Sequence, residues 1–398
     1  MIYEEHVPYL TPAADISQRI AALQKSLEKE NIETAWLDDP ADILYFTGTV
    51  QSGVLLAAVD ADPILYIKKS LRRAAEESRV TVAPYPGRKH LIRKMKKCST
   101  LGIAADVTSA HSLMLLQDNL EGVTIKDITI LLKLIKAIKS PWEINQIRRA
   151  SEQAEKLLRT VPEQVRIGMK EVEAAALLTA ELRRLGHSGT IRVRGYGDSH
   201  TFVQLSAGDS ASYPTNFNGS LGSTNLYPTA TPGPGARVIS PGQTVMLDFV
   251  SSHNSYHSDQ TRIFFAGEKI PPEVENAHNF CVTLLSELEE EMKPGNNCQA
   301  VFRNIWKKAE ERGLPPGFMG YKENRTRFFG HGIGTELDQF PVIADRVDLD
   351  LQPGMIIAVE PKAFLPGTGG VGAENTYIIT DTGAESLLGL STDIVPLT

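Results

Sequence analysis

Two stretches of the 398-residue chain carry the same arrangement of acids. Pro241-Gly-Gln-Thr-Val-Met-Leu leads into Asp248, and Pro353-Gly-Met-Ile-Ile-Ala-Val leads into Glu360, so each acid stands seven residues after its proline at the end of an apolar run. Asp259-Gln-Thr-Arg-Ile-Phe and Glu374-Asn-Thr-Tyr-Ile-Ile then repeat an acid, an amide, a threonine and a β-rich run. Two copies of one hairpin, each delivering two carboxylates, predict a pseudo-twofold site in which four acids face one another. Like charges at short range raise one another's pKa values, so such a cluster calls for cations. Between the repeats lies Phe329-Gly-His331-Gly-Ile-Gly, whose glycines at 330, 332 and 334 would let backbone and imidazole approach a crowded centre. Asp248, Asp259, His331, Glu360 and Glu374 form a plausible ligand set for two divalent ions with shared carboxylates, and oxygen-rich ligation with one imidazole suits manganese, cobalt, zinc or iron. Two ions about 3.5 to 4 Å apart can hold a bridging hydroxide near neutral pH and polarise a carbonyl. That is hydrolytic chemistry.

The elements that must position these residues follow from periodicity. Ile16, Ile20, Leu23 and Leu27 repeat at helical spacing, and Thr34–Leu37 reads as a strand. A hairpin is expected over 54–59 and 64–67, with Ser70 as cap of a helix through Glu77. Shorter strands at 80–83 and 101–105 alternate with helices at 88–97, 110–119 and 128–138, an α/β arrangement. Ser140 as cap and Pro141 at the first helical position mark a boundary, giving an N-terminal domain over 1–140 and a second over 141–398. The second reads helix (141–161), helix (170–185), strands, helix (272–292), helix (297–312), strands, which predicts one antiparallel sheet backed by four helices with the acids at its centre. The fold class is therefore α+β. The segment 208–241, rich in Gly, Ser, Thr, Asn and Pro, is expected to be a lid.

Composition bounds the function. The length exceeds one ordinary core, and 22% charged with 42% apolar residues is globular. A net charge of −7 disfavours a phosphate-backbone partner, so nucleic acid is not expected. Cys98, Cys281 and Cys298 are too few and too scattered for a disulfide framework or a zinc knuckle. The sequence shows neither a signal segment nor an apolar run of membrane-spanning length, so a cytoplasmic protein without membrane partners is expected.

The five site residues and their spacing resemble the ligand pattern of the M24 "pita-bread" metallopeptidases, which include methionine aminopeptidase, Xaa-Pro aminopeptidase, prolidase and creatinase. Leu-Asp-Phe, Ser-Asp-Gln-Thr-Arg, Gly-His-Gly-Ile-Gly, Pro-Gly-Met and Glu-Pro carry the resemblance, and Ile43-Leu-Tyr-Phe-Thr-Gly48 extends it to the creatinase and prolidase N-terminal domain. The resemblance implies that Asp248 and Glu374 chelate or bridge the ions, that Asp259, His331 and Glu360 complete their shells, that Glu360 also acts as general base, and that Thr261 and Thr376 orient the ligands. It also implies a homodimer.

Three positions depart from that pattern. A histidine seven residues after the glycine-flanked one is replaced by Asp338, a histidine in the loop before the first aspartate by Thr215, and a prolidase arginine by Gly372. Tyr213, Tyr227, His200, His253, His257 and Asp338 are candidate substitutes, with His257 the best placed beside Asp259 and, with Glu360 and Asp338, a candidate catalytic residue. Three functions remain open. One is a dinuclear Xaa-Pro aminopeptidase or prolidase-like hydrolase of short peptides. Another is a creatinase-like C–N hydrolase or lyase on a small non-peptide substrate. The third is a catalytically weak binding protein.

Overall fold

The computed structural model describes residues 9–195, 201–217, 219–228 and 233–398. The chain divides into two compact units, one made of residues 1–136 with 194–197, the other of 137–193 with 198–398.

The smaller unit is built on a six-stranded sheet of order β4-β3-β2-β1-β5-β6. Its strands are β1 (Thr34–Leu37), β2 (Gly53–Ala58), β3 (Ile64–Ile67), β4 (Thr81–Pro84), β5 (Thr100–Ile103) and β6 (Thr124–Asp127), alternating with helices α1 (Ala13–Lys29), α2 (Pro40–Thr47), α3 (Leu71–Glu77), α4 (Arg88–Met95), α5 (Ala110–Asn119) and α6 (Thr129–Ala137). Alternate residues of β1 and β2 point to opposite faces and both faces are buried. Ala35, Leu37, Leu55 and Ala57 join Ile16, Leu23, Leu27 and Leu132 on one face. Trp36, Val54 and Leu56 meet Leu91, Ile92 and Leu116 on the other. Helix α2, absent from the sequence expectation, covers the Ile43–Thr47 motif. Asp39 caps it by accepting from the amides of Ala41 and Asp42, and Gly48 ends it at φ 84°. Ser70 precedes α3 as expected but sits in the left-handed region and makes no side-chain cap, so its role there is conformational.

The larger unit repeats one plan. Helices α7 (Pro141–Gln164) and α8 (Glu171–Arg184) precede strands β7 (Val203–Ala207), β8 (Thr244–His253) and β9 (Tyr256–Ala266). Helices α9 (Pro272–Glu291) and α10 (Cys298–Arg312) precede β10 (Phe328–Gly332), β11 (Gln339–Ala344), β12 (Ile356–Val359), β13 (Lys362–Leu365), β14 (Gly369–Gly372), β15 (Asn375–Ile379), β16 (Ala384–Ser386) and β17 (Val395–Leu397). Ser140 and Glu143 form a reciprocal capping box at the start of α7, with Pro141 in the first turn. Each half has its own core. Leu157, Leu178, Leu205, Leu247 and Phe264 fill the first, and Leu285, Phe302, Trp306, Phe329 and Ile357 the second.

The expected single sheet is divided into a four-stranded sheet β17-β9-β8-β7, a five-stranded sheet β11-β10-β12-β15-β16 and a β13-β14 ribbon. The two large sheets meet at one antiparallel bridge, Thr261 with Glu374. Two residues along, a side chain replaces the ladder: the Thr376 hydroxyl accepts from Asp259 N at 3.0 Å and donates to Asp259 O at 2.9 Å.

The 208–241 segment is not an open flap over its described part. Buried Glu171 accepts from the amides of Ala207 and Gly235 and from the Ser210 hydroxyl, tying both ends of the segment to α8. Cys281 and Cys298 are buried free thiols, and burial pushes Cys298 up to about 12. Among the described residues no helix is long and apolar enough to cross a membrane.

Candidate metal centre

In the β8–β9 hairpin Asp248 pairs with Thr261 and Val250 with Asp259. Directly opposed residues share a face and the side-chain period is two, so both aspartates project from the same side, one diagonal step apart. In the other half His331 pairs with Ala358, and Ala358 with Thr376. Glu360 and Glu374 stand two residues from Ala358 and Thr376, hence on that same face. Gly330 must lack a side chain for β10 to lie this close to β12, because a Cβ there would meet the Ala358 carbonyl oxygen at 2.2 Å.

All five residues proposed from the sequence converge. Asp259, His331 and Glu374 form one triad, and Asp248, Glu360 and Glu374 a second, with the ligand atoms of each within 4.8 Å of one another. Glu374 belongs to both. The Thr261 hydroxyl lies 2.8 Å from Asp248 Oδ2 and 2.8 Å from Glu374 Oε2, so its single hydrogen serves one carboxylate at a time. Behind the bridge, buried Arg262 donates to the carbonyls of Thr261, Glu374, Ser391 and Leu390 and to Asn375 Oδ1. All five donors of the guanidinium are thereby used to fix the strands that carry Asp259 and Glu374.

The His331 imidazole is oriented from outside the cluster. Its Nδ1 lies 3.1 Å from the Leu337 carbonyl oxygen and 3.4 Å from Asp338 Oδ1, and its Nε2 lies 3.9 Å from Asp259 Oδ2. A proton on Nδ1 satisfies these acceptors and turns the Nε2 lone pair inward, the tautomer a metal ligand needs.

Electrostatics match a site built for cations. Burial, then the charges of Glu374 and Asp248, push Asp259 well above the usual carboxylate range. Burial likewise raises Glu374, to about 7, with Glu360 and Asp248 adding to it and Lys362 opposing. Asp259 Oδ1 and Glu374 Oε1 are buried and lack a hydrogen-bond partner among the described residues. Two orphaned carboxylate oxygens beside an inward imidazole nitrogen are the donor set of a divalent ion.

Two residues of the centre were not foreseen. Lys362, 1% exposed, sends its ammonium to Asp248 Oδ2 at 2.6 Å, Glu360 Oε2 at 2.6 Å and Glu374 Oε2 at 3.0 Å. The signal was in the sequence, a lysine two places after an acid at the head of a small, apolar strand. Ser220, from the 208–241 segment, donates to Glu360 Oε2 at 3.0 Å and is fully buried. Nothing local in the sequence announces it.

The candidate substitutes fall elsewhere. His257 is buried, with Nδ1 2.8 Å from the Gly334 carbonyl oxygen and Nε2 3.4 Å from Arg192 N, so backbone engages both ring nitrogens. Burial holds it down to about 4. Asp338 is half exposed and reaches the cluster only through His331. Tyr213 and Tyr227 are exposed, and His200 lies outside the described residues.

This geometry agrees with comparison to known proteins. The profile of metallopeptidase family M24 matches residues 145–381, and that of the creatinase/prolidase N-terminal domain matches residues 19–138. The chain belongs to metallopeptidase family M24. This M24 protein is 25% identical over 380 residues to an Xaa-Pro dipeptidase of Pyrococcus furiosus, spanning 94% of this chain and 98% of the relative. Its fold matches the crystal structure of the prolidase from Pyrococcus horikoshii with a TM-score of 0.80 at 20% identity, over 95% of this chain and all of that one. A dipeptidase from Mycobacterium ulcerans matches with a TM-score of 0.81 at 20% identity, covering 98% and 99% of the two chains. The pita-bread architecture and the N-terminal creatinase-type domain of the M24 protein are thus those expected from its sequence.

Proposed function

We propose that this M24 protein is a metal-dependent hydrolase of short, proline-containing peptides. The observation that carries the reading is the pair of orphaned oxygens, Asp259 Oδ1 and Glu374 Oε1, beside His331 within a cluster of four carboxylates, three of them buried. The relatives named as Xaa-Pro dipeptidases support the substrate class. Asp259, His331 and Glu374 would hold a divalent ion of manganese, cobalt, zinc or iron, with Asp248 and Glu360 on the other side of Glu374. Such an ion supplies Lewis acidity and makes water a stronger acid at neutral pH.

The residues divide the remaining work. Glu360 is the general base through its other carboxylate oxygen, Ser220 and Lys362 donating to Oε2 and so anchoring the group. Asp338 and the Leu337 carbonyl hold the proton on His331 Nδ1. His257 braces Gly334 behind His331 and is a positioning residue. A second reading, hydrolysis or lysis of a small non-peptide C–N substrate, is favoured by one feature: Thr215 and Asp338 place no imidazole where the resemblance leads one to expect it. The homodimer rests on the resemblance alone and is checked by sedimentation.

The test is a panel of Xaa-Pro dipeptides and longer peptides assayed with Mn²⁺, Co²⁺ or Zn²⁺ and with a chelator. Cleavage that depends on metal supports the reading. Metal bound with no peptide cut under any ion would overturn it in favour of the non-peptide substrate.

A further inference from the structure

Lys362 is placed as a bound cation would be, not as a bystander. An ammonium has three N–H donors, and here one carboxylate oxygen from each of Asp248, Glu360 and Glu374 accepts. Those three residues are the whole of the second triad. The first triad, Asp259, His331 and Glu374, has no lysine in it and holds both orphaned oxygens. Glu374 divides its two oxygens between them, Oε2 toward the ammonium and Oε1 unpartnered.

The backbone fixes this arrangement. Lys362 pairs with Gly372 across the β13–β14 ribbon, and its carbonyl accepts from Met319 N at 2.8 Å. A Cβ at Gly372 would lie 2.3 Å from the Pro361 carbonyl oxygen and 2.9 Å from Lys362 Cα, and its φ is +118°, so only glycine permits the approach. Withdrawing the side chain would strand an ammonium in a buried setting, since Lys362 is 1% exposed. A metal ion roughly 2.0–2.2 Å from the same three oxygens would stand within a few ångström of the buried ammonium, and the repulsion between a dication and a cation in that desolvated setting opposes their sharing one set of oxygens.

We propose that Lys362 permanently fills one of the two cation positions of this centre, so that the protein takes a single divalent ion, at Asp259, His331 and Glu374. The inference rests on the reading of the acid cluster as a cation site and narrows its occupancy. A protein-borne monocation on one side of Glu374 and an exchangeable dication on the other supply three positive charges to the four carboxylates, one fewer than two dications would. The reaction chemistry then has to be run with one ion and a fixed ammonium.

The experiment is metal stoichiometry on the full chain. Chelator-treated protein is dialysed to equilibrium against Mn²⁺, then read by elemental analysis and by electron paramagnetic resonance. The wild type is expected to bind one equivalent with an uncoupled six-line spectrum, and Lys362→Met two equivalents with a spin-coupled spectrum. Two equivalents in the wild type, or one in a folded Lys362→Met, overturns the proposal. If Lys362→Met does not fold, two variants in the wild-type background decide. Asp259→Asn is expected to lose the single ion and Asp248→Asn to keep it, and the reverse pattern puts the ion at the lysine's triad and overturns the proposal. No ion bound by the wild type under Mn²⁺, Co²⁺ or Zn²⁺ would instead sink the cation-site reading itself, a different result from two ions bound.

Discussion

Replacing Lys362 with methionine keeps most of the side-chain volume and removes the charge, so its effect on the metal-free protein isolates what the ammonium does for the fold. Three charged hydrogen bonds of 2.6, 2.6 and 3.0 Å vanish, and Asp248, Glu360 and Glu374 are left facing one another with Asp259 close by. Removing one partner of a buried ion cluster costs about 3–5 kcal/mol, because the remaining charges stay desolvated without compensation. For a domain of this size that corresponds to a fall in Tm of roughly 6 to 20 °C. Proton uptake by the carboxylates holds the loss toward the lower end. Scanning calorimetry in excess chelator should show the fall. Added Mn²⁺ should reverse more of it than it raises the wild-type Tm, because in the variant a second ion can take the vacated position, and saturation at a hundredfold above Kd is worth about 2.7 kcal/mol per ion. A Lys362→Met protein that melts within about 2 °C of wild type in chelator would refute the reasoning.

Burial holds His187 and His257 down to about 4, against an ordinary 6.5, so both are neutral in the fold. The unfolded chain binds more protons between those values, so the contribution of each histidine is complete above about pH 6.5, falls toward pH 4 and levels off below, at up to about 1.4 kcal/mol per pH unit. Glu374, raised to about 7 in the metal-free fold, contributes in the opposite sense between about pH 4.5 and 7. The difference in urea midpoint between wild type and His187→Gln, measured at pH 7, 6 and 5, should trace the share of His187, the variant losing less stability than wild type as the pH falls. Arg262→Met removes the donor from five acceptors, three of them in buried bonds, and should cost about 3–5 kcal/mol by denaturant titration. Arg262→Lys, with three donors, should recover only part. Asp338→His should raise Xaa-Pro cleavage by about tenfold or more if an imidazole at that position limits the reaction, as expected of an added general acid. An unchanged kcat/KM removes that position from the mechanism.

The acid pattern was legible because strand geometry is local. A seven-residue approach to each acid and a side-chain period of two place Asp248 with Asp259, and Glu360 with Glu374, before any contact between the halves is known. Helix ends were legible for the same reason: Ser140, Pro141 and Glu143 satisfy the first turn of α7 from within four residues. Ser70 shows the limit, since a capping residue type took a left-handed backbone and made no cap.

By itself, then, the sequence determined which residues could bind cations, that they come as two similar acid-bearing strand pairs, and the α+β architecture that carries them; the second pair, β12 and β15, is interrupted by the β13–β14 ribbon and is not the simple hairpin expected. Only the tertiary structure decided how the copies meet and what fills the space between them. Thr261 joins Glu374 across 113 residues, Ser220 reaches Glu360 across 140, and the Lys362 ammonium closes on Asp248 across 114. Such contacts follow from the crossing of two half-sheets, which no local propensity encodes. Lys362 is close in sequence to Glu360, yet its meaning also depended on that crossing: a charged strand residue ordinarily faces water, and here its ammonium lies among three carboxylates, those of Glu360 and Glu374 buried and that of Asp248 partly so.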